Sequence, residues 1–134
     1  MTSANKASKT LNILLWIAQS ILFLGLLMGA GTKLLLTVDT LAEMFPWAAD
    51  HPGLVKVTGV LDLLAGVGML LPAILRIQPK LTVYAAVGTI ALMIAASIFH
   101  ILRGEYQIEI NIFFGILAIF VAWGRTRKVP ILPK

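Results

Sequence analysis

Four polar residues that could take part in chemistry lie within or at the ends of long apolar stretches: Lys33, Asp62, His100 and Asn111. A histidine near a carboxylate can pass a proton, and a lysine or an asparagine can hydrogen-bond a carbonyl oxygen. Close to a bilayer surface this chemistry suits a quinone headgroup, whose reduction consumes protons, and it suits other amphipathic small molecules equally. Asp62 and His100 are therefore candidate catalytic residues that handle protons, and Lys33 and Asn111 are candidate ligand-binding residues.

Two further polar residues are second-tier candidates for ligand binding. Gln19 falls near the middle of the first apolar stretch, away from the face of Gly25 and Gly29, so we expect a neighbouring helix or a bound polar group to meet it. Glu109 lies on the bulky side of the fourth stretch, among isoleucine and phenylalanine. We expect it to be a carboxylate at the membrane interface, paired with Arg103.

Several classes of cofactor site are not expected. The sequence has no cysteine, which removes iron–sulfur clusters and thiolate metal sites. Its two histidines are His51 and His100, and His51 lies in a connection beside two prolines, so a haem held by two histidines inside the membrane is not expected either. A zinc site needs three or four well-placed ligands, and no paired-ligand spacing provides them. No metal site is predicted, and quinone stays a candidate ligand only.

The elements that must position these residues are apolar and long. The chain has 134 residues, of which 59% are hydrophobic and 13% charged, with a mean hydropathy of +0.94. A soluble chain of this size could not bury so much apolar surface, so the lipid bilayer must act as its solvent and nucleic acid is not an expected partner. Four spans are predicted, at about residues 11–31, 54–75, 81–102 and 108–124.

The connections between spans predict their arrangement. The second, third and fourth spans are joined by short connections, with Gly104 as a C-terminal stop, so these helices should be antiparallel neighbours. The first connection is longer, and residues 37–49 carry apolar positions at helical spacing after a possible capping pair, Thr40 and Glu43. We predict an all-α, integral membrane four-helix up-and-down bundle with a short interfacial helix between its first two spans. An ordinary ordered loop is the alternative for 37–49.

Charge predicts the orientation of this single transmembrane domain. Eight of the eleven basic residues lie on the side of the two termini, and three lie on the other side with all six acidic residues. The rule that basic residues favour the cytoplasmic side therefore places both termini in the cytoplasm. The eight residues are Lys6, Lys9, Arg76, Lys80, Arg125, Arg127, Lys128 and Lys134.

Helix faces predict that the four polar residues meet. Lys33 follows Gly25 and Gly29 at four-residue steps, and Asp62 lies between Gly59 and Gly66 on one face. Small residues let helices approach closely, so these faces should turn inward, and all four polar residues fall in the outer half of the bundle. We expect a polar pocket there. Alternatively, the lysine extends into the headgroups, the histidine is interfacial, or the asparagine only joins helices.

Three segments of the sequence also resemble a known family. They are Ala30-Gly31-Thr32-Lys33-Leu34, the run Thr58-Gly59-Val60-Leu61-Asp62-Leu63-Leu64-Ala65-Gly66-Val67-Gly68-Met69-Leu70-Leu71-Pro72, and His100 followed by Arg103-Gly104-Glu105 and Asn111. Together they look like the DoxX-like family, whose members commonly carry glutamate where this chain has Asp62. The resemblance covers nearly the whole chain and implies a compact four-helix bundle in a prokaryotic cytoplasmic (inner) membrane. Some relatives are subunits of thiosulfate:quinone oxidoreductases or partner with redox enzymes.

The leading hypothesis is therefore a subunit or accessory protein of a quinone-linked membrane oxidoreductase, with a small-molecule pocket in its outer half. Its expected partners are lipid, a redox enzyme subunit and a second copy of the chain; whether the chain itself is an enzyme stays open. One alternative is a subunit of a small-molecule carrier or exporter. The other is a structural or assembly protein whose polar cluster locks the helices together.

Overall fold

The structure is a computed structural model that describes the backbone of residues 3–105 and 108–133. Within these ranges the chain is helical and has no strand. The helices are α1 (Ser3–Leu35), α2 (Val38–Met44), α3 (Trp47–Asp50), α4 (Pro52–Leu75), α5 (Lys80–Leu102) and α6 (Glu109–Trp123), and a π-helical turn (Gly124–Lys128) continues α6.

The four long helices form the predicted up-and-down bundle. α1 packs along α4, α4 along α5 and α5 along α6, and α6 returns to contact α1. All four are long and apolar enough to cross a membrane, which confirms the predicted fold class. We call the end with α2, α3 and the α5–α6 connection the capped end. The terminal end holds the start of α1, the α4–α5 turn and the chain after α6.

The sides of the bundle require lipid. Many large apolar side chains point outward, among them Met28 on α1, Leu64 on α4 and Ile116 on α6, each more than half exposed. The buried core between the helices consists of small and medium-sized apolar residues: Ala18, Leu22, Leu26, Met69, Ala86, Ala118 and Val121. An apolar exterior around an apolar core is stable in hydrocarbon and would be unstable in water.

The helix predicted between the first two spans is present, but it is broken in two. α2 begins after Thr37, whose side-chain oxygen accepts a hydrogen bond from the backbone N–H of Thr40, so the cap lies three residues before the predicted one. The chain becomes extended at Phe45, and Pro46 then starts the turn into α3. This break turns Trp47 inward onto Val55 and Phe99. α2 and α3 therefore close the capped end as a packed lid.

The helix ends follow local backbone rules. α5 ends at Leu102, and Gly104 has a φ of +77°, a conformation that glycine adopts without strain. This confirms Gly104 as the predicted stop. α1 begins at Ser3, so the helix starts before the predicted span at about residue 11 and includes polar N-terminal residues.

Candidate functional site

Glycines bring α1 and α4 into close contact at the capped end. A Cβ atom added at Gly59 would lie 3.0 Å from Cβ of Lys33, and one added at Gly29 would lie 3.2 Å from Oδ2 of Asp62. A Cβ at Gly66 would meet Leu26 at 3.2 Å. A side chain at any of these positions would crowd the facing helix, and the predicted small-residue faces of the two helices do face each other.

This close contact creates a buried ion pair. The Nζ atom of Lys33 donates a hydrogen bond to Oδ2 of Asp62 over 2.9 Å, and Asp62 is only 5% exposed. Lys56 donates to the backbone carbonyls of Lys33, at 2.8 Å, and of Leu36, at 3.1 Å. These two bonds satisfy carbonyl groups that the end of α1 leaves free, and they hold Lys33 in place.

A cavity of about 420 Å³ lies beside this pair, between all four long helices and the lid. The four predicted residues Lys33, Asp62, His100 and Asn111 all line it, and Thr58 is a fifth polar residue in its wall. The rest of the wall is apolar or aromatic: Gly25, Leu26, Phe45, Trp47, Leu54, Leu92, Met93, Ala95, Ala96, Phe99, Ile110 and Phe114. The structure thus brings the four residues to one cavity.

His100 pairs with Glu105, a carboxylate that was not among the candidate site residues. Its Nδ1 lies 3.1 Å from Oε2 of Glu105, whose other oxygen accepts a 2.8 Å bond from Nε of Arg103. The Arg103 hydrogen bond lowers the pKa of Glu105 below its ordinary range, and the same hydrogen bond is the largest cause of the raised pKa of Arg103. Because Glu105 is ionised at neutral pH, its oxygen accepts this hydrogen bond and Nδ1 of His100 is the donor.

Trp47 lines the cavity, although the sequence indicates only an aromatic residue at the membrane interface and not a site residue. It is 6% exposed and packs edge-on against Phe99 and His100. Its indole Nε1 is buried and has no hydrogen-bond partner among the residues that the structure describes. An indole N–H donates only, and a buried donor without an acceptor is costly, so the cavity wall contains an unused donor.

Neither second-tier residue reaches this cavity. Gln19 is fully buried in the terminal half, where its amide donates to the carbonyl of Met69 over 2.9 Å and accepts from Nε of Arg125 over 2.7 Å. Glu109 is exposed in the first turn of α6. Its expected pairing with Arg103 is wrong, because among the described residues Arg103 pairs with Glu105 and with Asp50. Arg103 directly follows the end of α5 at Leu102, where Glu105 is two residues away and Asp50 approaches from the lid.

The terminal half holds a second polar cluster, centred on Arg125. This residue is 4% exposed, although its position after the fourth span predicts a solvated cation. Its Nη1 donates to Asn12 over 2.7 Å and to the carbonyl of Val129 over 3.0 Å, and its guanidinium carbon lies 5.1 Å from the centre of the Trp16 ring. The π-helical turn directs Arg125 inward, and the spacing of apolar residues in the sequence does not predict this turn.

Among the described residues no cluster of three or more histidines and acids could hold a metal ion. Four apolar helices around a buried ion pair and a largely apolar cavity define a small multi-pass membrane protein. The particular family is also clear: the chain belongs to the DoxX-like family, whose model matches residues 17–124. No curated protein and no solved structure matches the chain.

Proposed function

We propose that this DoxX-like protein is a membrane subunit or accessory of a quinone-linked oxidoreductase, and that its capped-end cavity binds the quinone headgroup or a similar amphipathic molecule. The buried Lys33–Asp62 pair in the wall of a largely apolar cavity is the observation that carries this proposal. Ionisable groups within spans are expensive, and they usually serve a site or a pathway.

The cavity has the size and wall that such a ligand needs. Its volume of about 420 Å³ falls in the range of roughly 300–1,000 Å³ that is usual for small-molecule sites. The aromatic and aliphatic wall suits a planar ring. Lys33 and Asn111 can donate to ring carbonyl oxygens, and the unused Nε1–H of Trp47 is a third donor for the same kind of acceptor.

Protons would reach the ring through His100. Reduction of a quinone to a quinol takes up two electrons and two protons; the electrons would come from the redox centre of a partner subunit. Glu105, a third of whose side chain is exposed, is hydrogen-bonded to His100, which lines the cavity. This chain of groups supports a proton path from the surface to the ligand, with Asp62 as the second proton-handling group.

The proposed setting is a prokaryotic cytoplasmic membrane, with both termini in the cytoplasm and the capped end outside. The excess of basic residues at the terminal end supports this orientation. The partner would be a redox enzyme subunit, and a second copy of the chain is the other candidate neighbour.

The test is purification in a mild detergent, mass spectrometry of the extracted small molecules and titration with a short-chain quinone. Binding should quench tryptophan fluorescence, because Trp47 lines the cavity. Trp47→Phe should remove most of that quenching. The control Trp123→Phe should keep it, because Trp123 is exposed on the side of α6 and is not in the cavity wall.

Asp62→Asn and its control Asp39→Asn separate the proposal from its rivals. Asp39 is an exposed residue of α2, so its variant should bind as the unchanged protein does, while Asp62→Asn should bind quinone more weakly. Two results together would show that the proposal is wrong. The unchanged protein and Asp62→Asn would both fail to bind quinone, and Asp62→Asn would only lower the unfolding temperature, which would mean that the Lys33–Asp62 pair serves to hold the helices together. Solute flux through vesicles that contain this chain alone, without quinone binding, would favour a carrier instead.

A further inference from the structure

A second cavity, of about 660 Å³, lies at the terminal end between α5 and the chain that follows α6. Arg125, Lys80 and Thr82 line it. Its outer wall is the segment 130–133, and Arg76 holds that segment by donating from Nε to the carbonyl of Leu132 over 2.9 Å. The cavity is therefore bounded by side chains from three parts of the chain and carries two basic residues.

Among the residues that the structure describes, none supplies a counter-charge to Arg125 there. Its described hydrogen-bond partners are neutral amide and carbonyl oxygens, from Gln19, Asn12 and Val129. All six acidic side chains of the sequence belong to the other half of the molecule. A buried charge without an opposite charge is strongly unfavourable, so an anion at this position would stabilise the fold.

Two residues that line this cavity each carry a buried polar atom for which the described residues provide no partner. The two atoms are Nη2 of Arg125 and Oγ1 of Thr82, and neither has a hydrogen bond within the described part of the chain. Thr82 is 1% exposed and Arg125 is 4% exposed. One is a charged donor and the other a hydroxyl, and both, like the ammonium group of Lys80 in the same wall, are groups that hydrogen-bond phosphate oxygens.

We propose that this cavity binds the phosphate group of an anionic phospholipid. Its position at the ends of two spans is the level of lipid headgroups, and basic pockets between helices at that level bind such headgroups. Tyr84 and Leu132, both about two-thirds exposed, form part of its wall and suit the glycerol and upper acyl region. This site is separate from the capped-end cavity and does not depend on the quinone proposal.

The experiment compares lipids on the purified full chain in a neutral detergent. Phosphatidylglycerol, phosphatidylcholine and inorganic phosphate are each titrated, with native mass spectrometry for bound lipid and thermal unfolding as the second readout. We expect one phosphatidylglycerol to stay bound and to raise the unfolding temperature, and phosphatidylcholine to do neither. Equal effects of the two lipids would overturn the proposal. A stabilising effect of inorganic phosphate equal to that of the lipid would overturn the assignment to a lipid.

Variants locate the bound group. Arg125→Gln should weaken phosphatidylglycerol binding about 10-fold or more, the usual effect of a lost hydrogen bond to a charged group. Arg127→Gln is the matched control, because Arg127 is an exposed basic residue of the same turn, and it should bind normally. An equal loss of phosphatidylglycerol binding in the two variants would indicate a general attraction of the lipid to basic residues and would contradict the proposed site.

Because Arg125 also holds two amides, its variant could lose the fold, and Thr82→Val then decides the question. The hydroxyl of Thr82 has no partner within the described residues, so its removal should leave the lipid-free protein at least as stable. It should weaken phosphatidylglycerol binding about two- to ten-fold. Unchanged lipid binding by Thr82→Val and by Lys80→Gln would contradict the proposal.

Discussion

Nζ of Lys33, near the end of α1, lies 2.9 Å from Oδ2 of Asp62, near the middle of α4, although 29 positions separate the two residues in sequence. Two glycines, Gly29 and Gly59, leave the space in which the pair forms. Local sequence therefore sets the distance between two helices, and that distance sets the electrostatics of the cavity beside them. The first two predictions follow from this relationship.

Removal of one partner of the pair should cost more than removal of both. Lys33→Met leaves the carboxylate of Asp62 unpaired, which should lower the free energy of unfolding by about 2 kcal/mol or more. Fully buried pairs lose roughly 3–5 kcal/mol, but a fifth of the Lys33 side chain is exposed here. Lys33→Met combined with Asp62→Asn should recover part of the loss. Denaturant unfolding of the single and double variants measures this, and additive effects would show that the two residues are not coupled.

Widening the gap between α1 and α4 should disturb the pair indirectly. In Gly59→Leu the new side chain would meet Cβ of Lys33, which cannot move without its backbone, so the helices must separate at a cost of about 1–3 kcal/mol. Gly88→Leu is the control, since nothing lies within 4 Å of a Cβ at the exposed Gly88. Thermal unfolding compares the two. If Gly88→Leu is the less stable protein, close packing at Gly59 is not what matters.

Acid should loosen the capped end below the ordinary pKa of Glu105. The pKa of Glu105 in the folded protein lies below its ordinary value of 4.5, chiefly because Arg103 hydrogen-bonds the carboxylate. The contribution of Glu105 to stability is thus complete above pH 4.5 and is lost as the pH falls through the lower folded value. The protection factors of the amides around residues 100–105, which correct for the intrinsic pH dependence of hydrogen exchange, should be lower in acid than near neutrality.

Glu105→Gln tests that assignment. In this variant the amides around residues 100–105 should exchange faster at neutral pH. The further loss of protection in acid should be absent, because a glutamine side chain does not ionise. Glu43→Gln, which changes an exposed acid of α2, should keep that loss of protection. Persistence of the full loss in Glu105→Gln would assign the acid response to another group.

In the terminal half, Gln19 should be necessary for holding Arg125. Gln19→Leu removes the acceptor of Nε and the donor to the Met69 carbonyl, and each unpaired buried group costs about 1–3 kcal/mol. Gln19→Glu keeps the acceptor and supplies a negative charge, so it should be more stable than Gln19→Leu. Unfolding in guanidinium chloride measures the difference, and equal losses would mean that the bond to Arg125 contributes nothing.

The bundle and the meeting of four polar residues could be predicted because both follow from repeating patterns. Apolar length gives the spans, and the glycine steps around Lys33 and Asp62 give the faces that pack. Trp47 and Arg125 could not be predicted in this way. The break at Phe45 turns Trp47 inward, and the π-helical turn directs Arg125 inward. The spacing of apolar residues predicts neither irregularity.

The spacing of residues in the sequence also could not predict which charged residues pair at the capped end. Arg103 has several acids within a few residues along the chain or in the lid, and the choice of Glu105 and Asp50 over Glu109 depends on where α5 ends and α3 lies. Tertiary packing determines where α5 ends and where α3 lies, and the spacing of residues along one helix does not predict either position.

The most direct test of the account is photolabelling with a photoreactive short-chain quinone, followed by peptide mass spectrometry. If the capped-end cavity binds the headgroup, label should concentrate on inward-facing wall residues such as Phe99 and Trp47, and excess unlabelled quinone should abolish this labelling. Asp62→Asn should reduce it, and Asp39→Asn should not. Label spread over lipid-facing residues such as Leu64, unaffected by competition, would contradict the proposed site.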